Sequence, residues 1–262
     1  MTLLIDGDWL GYKTCASCES ETRWSEWCHT LTVNPEVAKA CAAGQVEAWM
    51  RMTGHTEVLM CISSYPTFRH ELNQDYKANR IGKRKPMALR EVYDFLAKTY
   101  NGVTYAQLEA DDTMGLLATC GTVEDPIIVS PDKDMRTIPG KLLNLDFGGD
   151  GQVQLVSKSD ADRNWMAQVL TGDHADNIHG IPGVGPKTAD KILGSACTLK
   201  DMWPIVVTAY QKKGKTFSDA LLNARLTRIL RRGDYDLQQE KLTLWHPSAE
   251  PELCEAGATP NV

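Results

Sequence analysis

The chain has 262 residues, long for one domain and short for two, with 42% hydrophobic and 24% charged residues, enough apolar material for a real core. Its net charge of −6, from 28 Lys and Arg against 34 Asp and Glu, argues against a general nucleic-acid-coating protein but not against an enzyme that gathers acids around metal ions. The start MTLLIDGDWL meets acid at Asp6 without a basic lead, and no apolar run approaches the about 18 residues of a membrane span; a cytoplasmic chain with its eight cysteines reduced is the expectation.

TLLID at the N-terminus is a short apolar run that ends on an acid, followed by Gly7 and Asp8. Cys15-x-x-Cys18 with Cys28-His29 has a spacing seen in zinc sites. The ESETRWSEW between them reads as helical, which favours thiols buried in a helix over a zinc loop. Helical periodicity then covers 37–52, and EVLMCI at 57–62 is a second strand-length run.

From Tyr76 to Arg90, YKANRIGKRKPMALR carries six basic residues and no acid. Such a block is either a solvated loop or a phosphate grip led by an aromatic. Helices are expected over 87–100 and 109–120, with a third strand, PIIVS, at 126–130. Strands alternating with helices give an α/β fold, a central mostly parallel sheet flanked by helices, with ligands beyond the carboxyl ends of the strands. KLLNL and VQLVS add strand-like runs, Ser159 is a suitable N-cap for the next helix, another helix is expected at 217–232, and KLTLW closes at 241–245.

Four acidic clusters lie far apart in sequence: Asp6 and Asp8; Glu109, Asp111 and Asp112; Asp132 and Asp134; Asp173 and Asp176. Singly, each reads as turn or cap chemistry. Each stands at a predicted strand end or helix start, however, and carboxylates brought together repel unless a cation neutralises them. Hard oxygen donors suit Mg²⁺ or Mn²⁺, and two such ions can activate water for phosphodiester hydrolysis.

GIPGVGPKTADKIL at 180–193 reads as a hairpin between two helices. Backbone N–H groups at Gly183 and Gly185, with Lys187 and Thr188 at the start of the following helix, are placed to hold a phosphate. The pattern is that of a helix-hairpin-helix gripping duplex backbone without reading sequence.

The ordered set IDGDWL, FRHELNQDYKANR, LEADDTMG, SPDKDMRTIPG and GDHADNIHGIPGVGPKTA, with LTRILRRGDYDLQQEKLTLW, resembles the 5′-nuclease family across nearly the whole chain. That family includes flap endonucleases, the 5′-nuclease domains of bacterial DNA polymerases and phage 5′–3′ exonucleases, and the likeness is greatest to exonucleases of short-tailed lytic phages. The resemblance implies an N-terminal α/β region at 1–158 with a helical arch at about 76–100, a helical DNA-binding region at 159–246, and a tail at 247–262. It implies that Asp6, Glu109, Asp111, Asp132 and Asp134 serve a first metal, and Asp112, Asp173 and Asp176 a second. Lys77 and Arg80 would act catalytically on the scissile phosphate, Tyr76 would stack on a terminal base, and Lys83, Arg84 and Lys85 would lie in the DNA-binding arch. A potassium ion in the hairpin would involve Leu170, Thr171, His179, Ile181 and Val184. The implied partner is DNA with 5′ ends, nicks or flaps, including RNA–DNA hybrid at primers, in the host cytoplasm if phage-encoded, with no membrane role.

One position departs. Ser64 stands where the family usually carries an aspartate, four residues before the aromatic of the FR pair. The expected activity is therefore metal-dependent 5′–3′ exonuclease and flap endonuclease hydrolysis. Its alternative is an impaired protein that recognises DNA structure. A metal-dependent ribonuclease shares the acid cluster but lacks the hairpin and arch.

Overall fold

Leu3, Leu4 and Ile5 are completely buried, and so unbroken a run suits the centre of a parallel sheet covered on both faces. A computed structural model describes residues 1–145 and 152–248; of the tail at 247–262, residues 249–262 lie outside the described residues. In chain order the strands are β1 Thr2–Asp6, β2 Ser20–Arg23, β3 His29–Thr32, β4 Glu57–Cys61, β5 Gly102–Val103, β6 Ile127–Ser130, β7 Gly140–Asn144, β8 Val153–Val156, β9 Gly172–Asp173, β10 Ile178–His179, β11 Tyr235–Asp236 and β12 Lys241–Leu242. The α-helices are α1 Gly7–Cys18, α2 Pro35–Thr53, α3 Phe68–Leu72, α4 Leu89–Thr99, α5 Ala110–Thr119, α6 Lys158–Thr171, α7 Pro186–Leu193, α8 Leu199–Gln211 and α9 Phe217–Thr227.

Six strands form one sheet in the order β5-β4-β1-β6-β7-β8, parallel throughout except for β8 against β7. The expected mostly parallel α/β architecture is what forms. One face buries Leu3, Ile5 and Met60 against α1, α2 and α4, with Leu10, Val46, Val92 and Leu96 interdigitated. The other buries Leu4, Cys61 and Ile128 against Met114 and Leu117 of α5. A second apolar body joins α6, α7, α8 and α9 around Trp165, Val206, Tyr210 and Trp245. Trp245 stacks edge-on against both Trp165 and Trp203.

Several local expectations give way to tertiary packing. The segment ESETRWSEW is not helical: β2 and β3 pair as an exposed antiparallel hairpin. Its alternating Thr, Arg, Trp and Leu suit a strand better than a helix. Cys28 lies out on that hairpin while Cys15 is buried in α1, so the zinc spacing does not close. Helix α4 docks on the core through Val92 and Leu96, which limits any arch to the exposed stretch before it. Helix α6 starts two residues earlier than expected, with Ser157 rather than Ser159 as its N-cap, accepting from the Asp160 amide at 3.0 Å. Helix α9 stops at Thr227 because the next residues run extended, burying Arg228 and Arg231 against Asp234 and Asp162. Among the described residues no helix is long and apolar enough to cross a membrane.

Candidate active site at the carboxyl edge of the sheet

The three adjacent strands β4, β1 and β6 end side by side, with Asp6 in register with Cys61 and Ile5 with Val129. Asp6 closes β1 and caps α1, accepting from the Trp9 amide at 2.9 Å. Asp8 follows in the first turn of α1. Ser63 and Ser64 follow β4, and Asp132 follows β6, capping a 3₁₀ turn that carries Asp134. Over this edge sits the N-terminus of α5, with Glu109 as cap and Asp111 in the first turn.

Physical chemistry divides these acids into two sets. Asp6, Asp8, Asp111, Asp132, Asp134 and Asp173 have no ion-pair partner among the described residues. Burial pushes the Asp6 carboxyl up to about 7, with Asp8 and Asp132 adding repulsion and the Trp9 amide opposing it. Burial likewise raises Asp134 to about 7, helped by Asp132 and Asp173 and opposed by Lys133 and Gln168. Asp111 is driven well above its ordinary value by burial, then by Asp6, Asp132 and Glu109. Asp8 is raised by burial against the pull of Ser63. This set is one of hard oxygen donors that destabilise one another, the chemistry that divalent cations relieve. It is open in shape: among the described residues no group of three or more Cys, His, Asp or Glu is drawn together as a ready metal cage.

The second set is already neutralised. Burial would raise Glu109, but Arg69 and Lys77 outweigh it and hold the carboxyl at about 2. Glu109 accepts from Lys77 at 2.5 Å, Arg69 at 3.1 Å and the Tyr76 hydroxyl at 2.8 Å. Asp176 takes Lys77 at 3.5 Å, Arg80, and the same Tyr76 hydroxyl at 3.0 Å. Lys77 and Arg80 thus stand at the acid cluster, engaged with its carboxylates.

Three assignments require correction. Asp112 is completely buried and turned inward: both oxygens take Arg69, at 2.5 and 2.8 Å, and they also accept from the Glu109 and Leu230 amides. It is a structural counter-ion with no oxygen facing a metal. Tyr76 is 2% exposed, with its ring against His70 and Leu72, so it has no face for a base. Arg84 does not project freely, because its guanidinium is fixed on Glu19 at 2.6 and 2.7 Å. Lys83 and Lys85 are exposed.

Other functional contacts carry no clear sequence signal. Ser63, rather than Ser64, touches the acids: its amide points at Asp8 at 3.3 Å and its hydroxyl accepts from the Ala110 amide at 2.9 Å. The Ser64 amide donates to Leu108 at 2.8 Å. Gln168 of α6 donates to Asp134 at 2.7 Å. The inward Asp8 was legible as a member of its cluster; Gln168 was not, since nothing local ties α6 to the 3₁₀ turn.

Beyond the acids, the hairpin stretch connects α6 to α7. Gly172, at φ 72°, crosses Gly180 so closely that a β-carbon on either would run into the other's backbone. Thr171, His179, Ile181, Val184, Gly183 and Gly185 line one cavity of about 480 Å³. Leu170 is buried beneath it, its carbonyl accepting from Ile181 at 2.8 Å. Lys187 and Thr188 are exposed at the N-terminus of α7.

The unpaired carboxylates imply a measurable pH dependence. A raised acid pKa means that the folded chain binds the proton more tightly than the unfolded chain does. With Asp6 and Asp134 near 7 against 3.8 unfolded, stability is fullest below about 4 and falls as pH rises through about 7. Glu109 acts oppositely, but only as pH falls from 4.5 towards 2. In chelator, Tm is expected to rise as pH is lowered from about 8 to about 6, and excess Mg²⁺ at the upper pH should restore it. A Tm flat across that window would contradict mutual repulsion in the cluster.

Residues 1–165 match the family model described as the 5′–3′ exonuclease, N-terminal resolvase-like domain. The exonuclease of Escherichia phage T7 is 24% identical, aligned over 94% of this chain and 93% of its own length. The flap endonuclease Xni of Shewanella sp. (strain W3-18-1) is 29% identical over 65% of this chain and 69% of its own. Among solved structures, a bacteriophage T5 flap endonuclease, in a pseudo-enzyme–product complex with DNA and metal ions, superposes with a TM-score of 0.62 at 16% identity, covering 86% of this chain and 88% of that one.

Proposed function

The chain belongs to the 5′–3′ exonuclease family, and on that premise we propose that its acid cluster hydrolyses DNA phosphodiesters from 5′ ends, nicks or flaps using Mg²⁺ or Mn²⁺. The observation that carries this reading is the set of six carboxylates without ion-pair partners at the carboxyl edge of the parallel sheet. Asp6, Asp8, Asp111 and Asp132 would hold one ion. Asp134 and Asp173, joined by Asp176, would hold a second. When bound, such ions supply Lewis acidity to the attacking water and neutralise charge on the leaving oxygen.

The protein's own residues do the rest. Burial works against the charge on Lys77, but Glu109 and Asp176 outweigh it and keep the ammonium charged. Together with Arg80 it offers fixed positive charge to a phosphate that arrives over the acids. Tyr76 and Arg69 fix Glu109 from behind. Gly183, Gly185, Lys187 and Thr188 hold the duplex backbone through amides and one ammonium. A potassium ion would sit at the adjacent cavity, where the carbonyls of His179 and Ile181, with that of Leu170 beneath, each accept a protein hydrogen bond and keep a second lone pair. RNA–DNA hybrid at primer ends would be held by the same backbone-directed contacts.

Ser64 favours a second reading, a protein that binds DNA structure with weakened chemistry. The deciding experiment is a time course on 5′-labelled flapped and nicked duplexes with Mg²⁺ or Mn²⁺, comparing this chain with Ser64→Asp. Short 5′ products abolished by chelation are expected from both. The variant should be about 10–100-fold faster at limiting metal, the usual scale for a metal's supporting contacts. Products from the variant alone would mean a framework disabled at one position. Silence from both, with DNA binding retained, would establish the second reading.

A further inference from the structure

The β2–β3 hairpin carries Trp24 at 68% and Trp27 at 88% exposure, and both strands are exposed along their whole length. A two-stranded hairpin gains little stability by itself, and these indoles add nothing to either apolar core. Trp24 is nonetheless oriented: its indole N–H donates to Thr30 Oγ at 2.8 Å, leaving the ring faces outward.

The root of the hairpin is Glu19, the C-cap of α1, and it is tied to the basic loop at 81–88. Its two oxygens take the Arg84 guanidinium at 2.7 and 2.6 Å, and one accepts from the Met87 amide at 2.7 Å. The latch joins the root of the aromatic hairpin to the loop that carries Lys83 and Lys85, both exposed. Charge on the hairpin itself is nearly cancelled. Glu19 is matched by Arg84 and Arg23 offsets Glu26, leaving Glu21, whose carboxylate meets the His29 ring at 2.5 Å. Stacking surface on one arm and free ammonium charge on the other is the pair of features by which proteins hold unpaired nucleic acid without reading its sequence. Helix α1, of 12 residues, spans about 18 Å between Asp6 and Glu19. The composite surface therefore lies several nucleotides from the acid cluster.

We propose that Trp24 and Trp27, with Lys83 and Lys85 on the loop that Glu19 ties to the hairpin root, form a binding site for the single-stranded part of a flapped substrate. Bases stack on the two indoles while the lysines meet the phosphates. Glu19 is a positioning residue that fixes loop to hairpin. The site rests on the nuclease reading for its substrate but not for its test.

Affinity is measured by fluorescence anisotropy, in chelator, for a nicked duplex and for the same duplex with a long single-stranded 5′ flap. The readout is the ratio of the two affinities. Trp24→Ala with Trp27→Ala is expected to lower the flap preference by about tenfold or more, the scale of losing one stacked base or two. Trp24→Phe with Trp27→Phe should retain most of it, and Glu19→Gln should lower it by a few fold at unchanged Tm. Flap preference unaltered in the double alanine variant would overturn the proposal. So would equal losses on nicked and flapped duplexes. Neither result bears on metal-dependent cleavage, which the time course above decides separately.

Discussion

Replacing Arg69 with methionine should lower stability by about 3–5 kcal/mol, the cost of removing one partner from a buried charge pair. On the usual scaling for a chain of this size, that is a fall in Tm of roughly 10 °C. Arg69 is 3% exposed and uses its whole guanidinium. It grips Asp112 twice and Glu109 once, and it donates to the backbone carbonyls of Leu226 at 2.9 Å and Arg228 at 2.7 Å. Methionine fills the volume but leaves the Asp112 carboxylate charged and completely enclosed. The pair Arg69→Met with Asp112→Asn removes that stranded charge and keeps an acceptor for one of the Glu109 and Leu230 amides, which use different oxygens of the aspartate. Thermal unfolding of this double variant should recover a substantial part of the loss. A single-variant loss below about 1 kcal/mol would mean that water reaches Asp112, contrary to its complete burial.

Asp6→Asn should move stability and turnover in opposite directions. Asparagine keeps the N-cap contact to the Trp9 amide, since it caps as well as aspartate does. It removes one charge from a cluster in which burial, Asp8 and Asp132 drive Asp6 to about 7. In chelator near pH 8, a gain of about 1–3 kcal/mol is expected, because the burial and repulsion that drive Asp6 to about 7 act on a charge the variant lacks. Cleavage of a flapped duplex in Mg²⁺ should meanwhile fall by at least about 100-fold, because an ion's charge donor is lost. A variant less stable than the parent in chelator would show that Asp6 is held by structure rather than strained by its neighbours. Unimpaired cleavage would remove Asp6 from the site.

Tension between stability and function also explains the division among the acids. Asp112 and Glu109 are neighbours on α5, yet one is clamped inward and the other faces the cluster. The difference is made by Arg69, which arrives from α3, and by the 226–230 segment, which arrives from beyond α9. No local pattern in LEADDTMG separates the two residues. Their spacing placed both at a helix start, and only the partners settle which one is counter-ion and which is site.

The sequence by itself determined the sheet and its edge. Unbroken apolar runs at 3–5, 58–62 and 127–129, each followed by polar or acidic residues, specify parallel strands whose carboxyl ends meet, because period and burial are written locally. The glycines of GIPGVGPKT likewise announce the turn between α6 and α7. Tertiary structure decided what local chemistry leaves equal. It made ESETRWSEW a hairpin, buried Tyr76, turned Asp112 inward, and fixed Arg84 on Glu19. In each case the deciding partner lies dozens of residues away or on another element, and for Tyr76 and Asp112 the cost of leaving a hydroxyl or charge buried without that partner selects a single arrangement.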